Sequence, residues 1–99
     1  MRIGIVGAGF TGLACAHRLA KLGHSVTVFE KESKAGGLAG GFKDARWKWS
    51  LEAHYHHLFT SDWDIRNLAK EVGHKIIFTT PKTSTLYKGE IHKLDTPLS

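Results

Sequence analysis

The sequence predicts an α/β fold built on a parallel βαβ unit, and three observations near its start predict it. A short apolar run, Ile3 to Val6, ends in glycines, as a strand covered on both faces of a parallel sheet does. A segment of helical apolar spacing comes next, with Leu13, Ala16, Leu19 and Ala20 recurring before Gly23. A second apolar run, Val26 to Phe29, then ends in the acidic Glu30.

The first strand is read as Arg2 to Val6 and the crossover helix as Thr11 to Leu22. Gly23 stands where a left-handed C-terminal cap is wanted. Four glycines lie between Gly36 and Gly41, and Phe42 to Leu51 reads as extended or hairpin structure. A second helix is expected over about 62–72, with Ser61 as its cap, Asp64 at the reciprocal third position, and Ile65, Leu68, Ala69 and Val72 as its apolar face. Strands are expected at Ile76 to Thr79 and at Ser84 to Tyr87, with Lys88-Gly89 turning into Glu90 to Leu94. Thr96 to Ser99 falls where another element would begin. The domain reading is a Rossmann-like segment over residues 1–45, continued by residues 46–99 as the start of a β-rich excursion that is incomplete at its C-terminal end.

Composition narrows the function classes. Ninety-nine residues suffice for one small core but not for a cofactor lobe and a substrate lobe together. With 41% hydrophobic and 23% charged residues, the chain has the profile of an ordinary globular protein, and no apolar run is long enough to span a bilayer. The apolar run after Met1 breaks at Gly7, too early for a signal-peptide core. Cys15 is the sole cysteine, which excludes an internal disulfide. The expected setting is therefore the cytoplasm, with attachment at a membrane face left open. The net charge of +5 comes from Lys and Arg scattered singly between Arg2 and Lys93, so no nucleic-acid partner is expected. Oligomeric state is open.

Gly7-Ala8-Gly9-Phe10-Thr11-Gly12 matches GxGxxG between a predicted strand and a predicted helix. Gly7 permits the tight turn, Gly9 lets backbone approach a diphosphate, and Gly12 lets helix and strand pack closely. The amides and positive dipole end of the next helix form an anion site without any lysine. Glu30, eighteen residues after Gly12, can accept both hydroxyls of an adenosine ribose, and its charge disfavours a 2′-phosphate. Cys15 and His17 are read as packing or surface residues.

These features fit either FAD or NAD, so the choice rests on the residues beyond Glu30. Gly12, Ala16, Gly23, Glu30 and the pair Gly36-Gly37 together resemble the extended FAD fingerprint of the flavin-containing amine oxidase and protoporphyrinogen oxidase-like superfamily. Gly36-Gly37-Leu38-Ala39-Gly40, the segment His54 to Asp62 and the hairpin around Tyr87-Lys88-Gly89 are also similar to UDP-galactopyranose mutases. The resemblance implies a two-dinucleotide-binding-fold flavoprotein, of which this span is the FAD-binding N-terminal portion. It implies FAD as cofactor, contacted by Gly7, Ala8, Gly9, Phe10, Thr11, Gly12, Glu30, Lys31, Lys34, Gly36, Gly37 and Leu38, with the second glycine pair near the phosphates or ribityl chain. Leu38 stands where amine oxidases place an arginine, which moves the reading away from amine oxidation itself.

His54, His56 and His57 lie within four residues, but no second cluster completes a metal site at recognised spacing. No metal is expected, and the resemblance implies instead that His54 or His56 lines the flavin pocket. Trp47, Trp49, Tyr55, Phe59 and Trp63 are read as core packing under a second domain. The parent activity implied is an FAD-dependent oxidoreductase acting on a small-molecule substrate held mainly outside this span. A flavin-dependent mutase or a non-catalytic binding fragment are the alternatives. The 99 residues alone are expected to be inactive, and no catalytic residue is assigned.

Overall fold

A computed structural model describes residues 1–94 of the chain; the expectation for Thr96 to Ser99 lies outside the described residues. The chain divides into two compact units, Met1–Phe59 and one beginning at Thr60.

The first unit opens with the expected βαβ arrangement. Strand β1 (Arg2–Val6) pairs in parallel with β2 (Ser25–Phe29), in a register that sets Ile3 beside Val26 and Ile5 beside Val28. These four side chains are the half-buried ones, alternating with exposed neighbours, while helix α1 (Phe10–Lys21) makes the crossover. On α1, Ala16 and Leu19 are half-buried as expected, but Leu13 and Ala20 are exposed. Helix α1 ends in a Schellman motif: the His24 N–H donates to Leu19 O at 3.2 Å and the Gly23 N–H to Ala20 O at 3.0 Å. Gly23 adopts a φ of 90°, so it caps the helix as its position implies.

After β2 the chain bends through residues 31–35 and makes one 3₁₀ turn, Gly37–Ala39. The expected hairpin beyond it is short: β3 (Gly41–Phe42) pairs antiparallel with β4 (Leu51–Glu52). In its loop, Arg46 closes a two-pronged bond onto Asp44, with Nε 2.7 Å from Oδ1 and the second nitrogen 3.1 Å from Oδ2.

In the second unit, α2 (Trp63–Glu71) forms where its apolar spacing predicts. Its N-cap is Asp62 rather than Ser61, and no side chain caps the helix. Ser61 instead accepts the Trp63 N–H through its backbone carbonyl at 2.9 Å, one residue too early for a capping box. The same Schellman bonds recur at the other end, from Gly73 to Lys70 and from His74 to Ala69. Ile76 to Thr79 does not form the expected strand. Phe78 of that segment makes a side-chain contact instead: the Arg66 guanidinium lies 5.4 Å from its ring centroid and 4.2 Å from that of Trp63. Strands β5 (Ser84–Tyr87) and β6 (Glu90–Lys93) pair antiparallel across Lys88-Gly89. Both turn residues have positive φ, 50° and 81°, which is the geometry of a two-residue hairpin turn.

Among the described residues only Ala8 is buried. The aromatic residues read as core packing are exposed: Trp49 at 69%, Tyr55 at 82% and Trp63 at 61%, with Trp47 and Phe59 also open. Their contacts are local, as in the edge-on pairs Phe42–Trp47 and Tyr55–His57. No described helix is long and apolar enough to cross a membrane.

Candidate functional site

The site is built where β1 ends. Gly7 turns the chain with a φ of 102°, and its N–H extends the sheet by donating to Phe29 O at 2.7 Å. The turn is crowded on its inner side: a Cβ at Gly12 would overlap the Gly7 carbonyl oxygen and lie 3.5 Å from Ile5 Cγ2. Gly12 is thus required by the close approach of helix and strand, as the motif implies. Around a Cβ at Gly9 there is nothing within 4 Å, so no protein atom demands glycine there.

Helix α1 begins immediately after Gly9. Gly9 is the N-cap and carries no side chain to satisfy the leading amides, and the first turn holds no acidic residue. Phe10, Thr11 and Gly12 therefore present donors without an intrahelical acceptor and without a competing carboxylate. Leu13 is the first to bond back, its N–H donating to Gly9 O at 3.0 Å. Such an end favours a bound anion.

Two residues, Glu30 and Gly36, hold Ala8 and its flank. The Ala8 N–H donates to Glu30 Oε2 at 2.6 Å, and the Gly36 N–H donates to Ala8 O at 2.8 Å. Gly9 and Gly36 form an isolated parallel bridge. The Glu32 N–H donates to the other Glu30 oxygen at 3.1 Å. The Ala8 hydrogen bond, followed by that from Glu32, holds the Glu30 carboxyl below its ordinary pKa against a smaller opposing effect of desolvation; the Lys31 amide and charge add to the lowering. Glu30 is thus a carboxylate at neutral pH, fixed at the end of β2 beside the loop.

The structure brings together Gly7 to Gly12, Glu30, Gly36 and Gly37. Lys31 and Lys34 lie exposed in the bend after β2, and Leu38 is 70% exposed in the 3₁₀ turn. His54 and His56 lie in an exposed segment with local partners: the His56 backbone N–H and Nδ1 sit 3.1 and 3.2 Å from Glu52 Oε2. His57 packs its ring against Tyr55 and Phe59. No group of three or more potential metal ligands occurs among the described residues. Sequence reasoning places Ala8 among the ligand-contacting residues but misses its position as the buried hub of the loop, held on both peptide faces. Nothing in a lone alanine signals that role; it emerges only when Glu30 and Gly36 are located in space.

A glycine turn between parallel strands, an uncapped helix start and an acid at the end of the second strand define a dinucleotide-binding domain of Rossmann-like type. The chain belongs to the NAD(P)-binding Rossmann-like domain family, whose profile matches residues 5–72. Among its relatives, the 15-cis-phytoene desaturase of Synechococcus elongatus is 31% identical over the whole chain and 23% of its own length. The 4,4′-diapophytoene desaturase of Staphylococcus haemolyticus is 58% identical over 43% of the chain and 9% of its own length. That of Staphylococcus aureus strain COL is 51% identical over the same share of each. The chain thus spans less than a quarter of the length of these relatives. The resemblance of the glycine and glutamate pattern to the amine oxidase-like superfamily accords with this likeness to desaturases.

Proposed function

We propose that this chain binds the ADP half of FAD within a flavin-dependent oxidoreductase of the desaturase type. The observation that carries the reading is the joining of Glu30 to the phosphate loop through the Ala8 N–H. It sets a charged acceptor for a ribose beside an open helix start for a diphosphate. The residues fit the group: Gly9 leaves open space, the first turn of α1 is free of acids, and Glu30 is ionised where hydroxyl donors would approach. Gly9, Phe10, Thr11 and Gly12 would offer the phosphate-facing amides. Ala8 would act by shaping the turn, its own N–H being engaged by Glu30.

Bound FAD would supply a two-electron acceptor, so that removal of hydrogen from adjacent carbons of a substrate leaves a double bond, as the names of the desaturase relatives describe for those enzymes. The role of this span is to bind and orient the cofactor. Substrate recognition is assigned to no residue here.

The second reading, a flavin-dependent sugar mutase, is favoured by one observation: the Tyr87-Lys88-Gly89 hairpin forms where the likeness to the mutases places it. The test is an absorption spectrum of the purified full chain, the full-length parent protein that this reading implies, then an anaerobic titration. A flavin spectrum bleached by a polyene precursor supports the oxidoreductase. Turnover only with prereduced flavin and a nucleotide sugar supports the mutase. Colourless protein that ignores added FAD and ADP overturns both.

A further inference from the structure

The second glycine pair has protein neighbours. Gly36 and Gly37 both adopt positive φ, 124° and 55°, so the chain there takes a path that L side chains rarely adopt. Gly36 bridges to Gly9 and donates its N–H to Ala8 O at 2.8 Å. A Cβ at Gly37 would stand 3.1 Å from Gly9 Cα, tighter than nine in ten real contacts of a Cβ, so Gly9 would have to move by a few tenths of an ångström. The bare backbone of the pair is thus seated against the phosphate loop at the residue whose own Cβ position is open.

We propose that Gly37 is a positioning residue: by backbone contact with Gly9 it sets the place of the phosphate loop, which Glu30 and Gly36 hold through the backbone N–H and C=O of Ala8. The proposal rests on the reading that this loop binds the ADP half of a dinucleotide, and it deepens that reading by giving the second glycine pair an indirect role. The pair acts on the ligand through Gly9, so its effect falls on the diphosphate end and is shared by every ligand carrying that end.

The test compares Gly37→Asn with Gly23→Asn in the full chain. Asparagine tolerates the left-handed region, so at position 37 the main change is the added Cβ against Gly9. Position 23 has φ of 90° with nothing within 4 Å and serves as the control. Binding of ADP and of FAD is measured by titration. Gly37→Asn is expected to weaken both in the same ratio, about tenfold, the scale of one misaligned hydrogen bond to a charged phosphate. Gly23→Asn is expected to leave both unchanged.

Hydrogen exchange in the ligand-free protein supplies the readout that a merely structural role would not give. The Ala8 and Gly36 amides should exchange faster in Gly37→Asn, while the amides of the β1–β2 ladder keep their rates. Weakened FAD binding with unchanged ADP binding would overturn the proposal, because Gly37 would then touch the flavin side directly. Exchange accelerated equally throughout β1 and β2 would overturn it too. If Gly37→Asn fails to fold, Gly37→Ala carries the same comparison with a smaller group. Failure of the unaltered protein to bind ADP or FAD would instead remove the underlying dinucleotide reading.

Discussion

Glu30 has one observed task, holding the loop, and one proposed task, binding a ribose. Its Oε2 accepts the Ala8 N–H at 2.6 Å and its Oε1 the Glu32 N–H at 3.1 Å, and the proposed ribose contact would use the lone pairs these bonds leave. Because the Ala8 bond is the main cause of the lowered pKa, the stability Glu30 contributes is complete at neutral pH. It is lost as the solution is acidified through the folded-state value, below the ordinary glutamate range. Glu30→Gln is therefore expected to flatten the acid limb of the unfolding midpoint measured against pH; an unchanged limb would show that the carboxylate bond adds nothing. Glu30→Ala should also weaken FAD retention more than Cys15→Ala, since Cys15 is exposed on α1. Equal retention in the two variants would count against the ribose assignment.

Gly12 is constrained more severely than its neighbours. A methyl there would overlap the Gly7 carbonyl, a backbone atom that can retreat only if the turn opens. Gly12→Ala is expected to destabilise the protein by about 2 kcal/mol, as overpacking does, read as a lowered urea midpoint with unchanged slope.

At the scale of elements, both helices end on the same device and neither begins with a side-chain cap. For α1 the uncapped start leaves the amides that the proposed diphosphate contact would use. For α2, Asp62 rather than Ser61 occupies the cap position, and Ser61 contributes its backbone carbonyl. Ser61→Ala is consequently expected to cost less than about 0.5 kcal/mol, against about 1 kcal/mol for the loss of a true cap. Thermal unfolding of the full chain distinguishes the two. The failure of Ile76 to Thr79 to form a strand has a related cause. Apolar β-branched residues can pair only if a partner edge is present, and Phe78 is engaged with Arg66 on α2 instead.

On the scale of the whole molecule, the described residues bury little. Val6 is 91% exposed, although its strand reads as covered on both faces, and Phe29 is 58% exposed. Expressed as these 99 residues alone, the chain should bind the dye ANS and unfold without a sharp transition. A cooperative transition with no dye binding would show those faces to be covered already.

Local chemistry determined the elements. Apolar spacing, Gly23 and the turn at Lys88-Gly89 are short-range signals, and β1, β2, both helices and the β5–β6 hairpin are found within a residue or two of expectation, whereas Ile76 to Thr79 form no strand. The geometry of the GxGxxG turn was legible because Gly7 and Gly12 answer backbone requirements, a left-handed turn and a close approach of helix to strand. What only the tertiary structure decided is which groups from separate segments meet. No periodicity could show that Glu30 grips Ala8, that Gly37 is bare because Gly9 lies against it, or that the aromatic residues from Trp47 to Trp63 are left open. Those outcomes depend on distances between segments, which residue type and spacing along the chain do not encode.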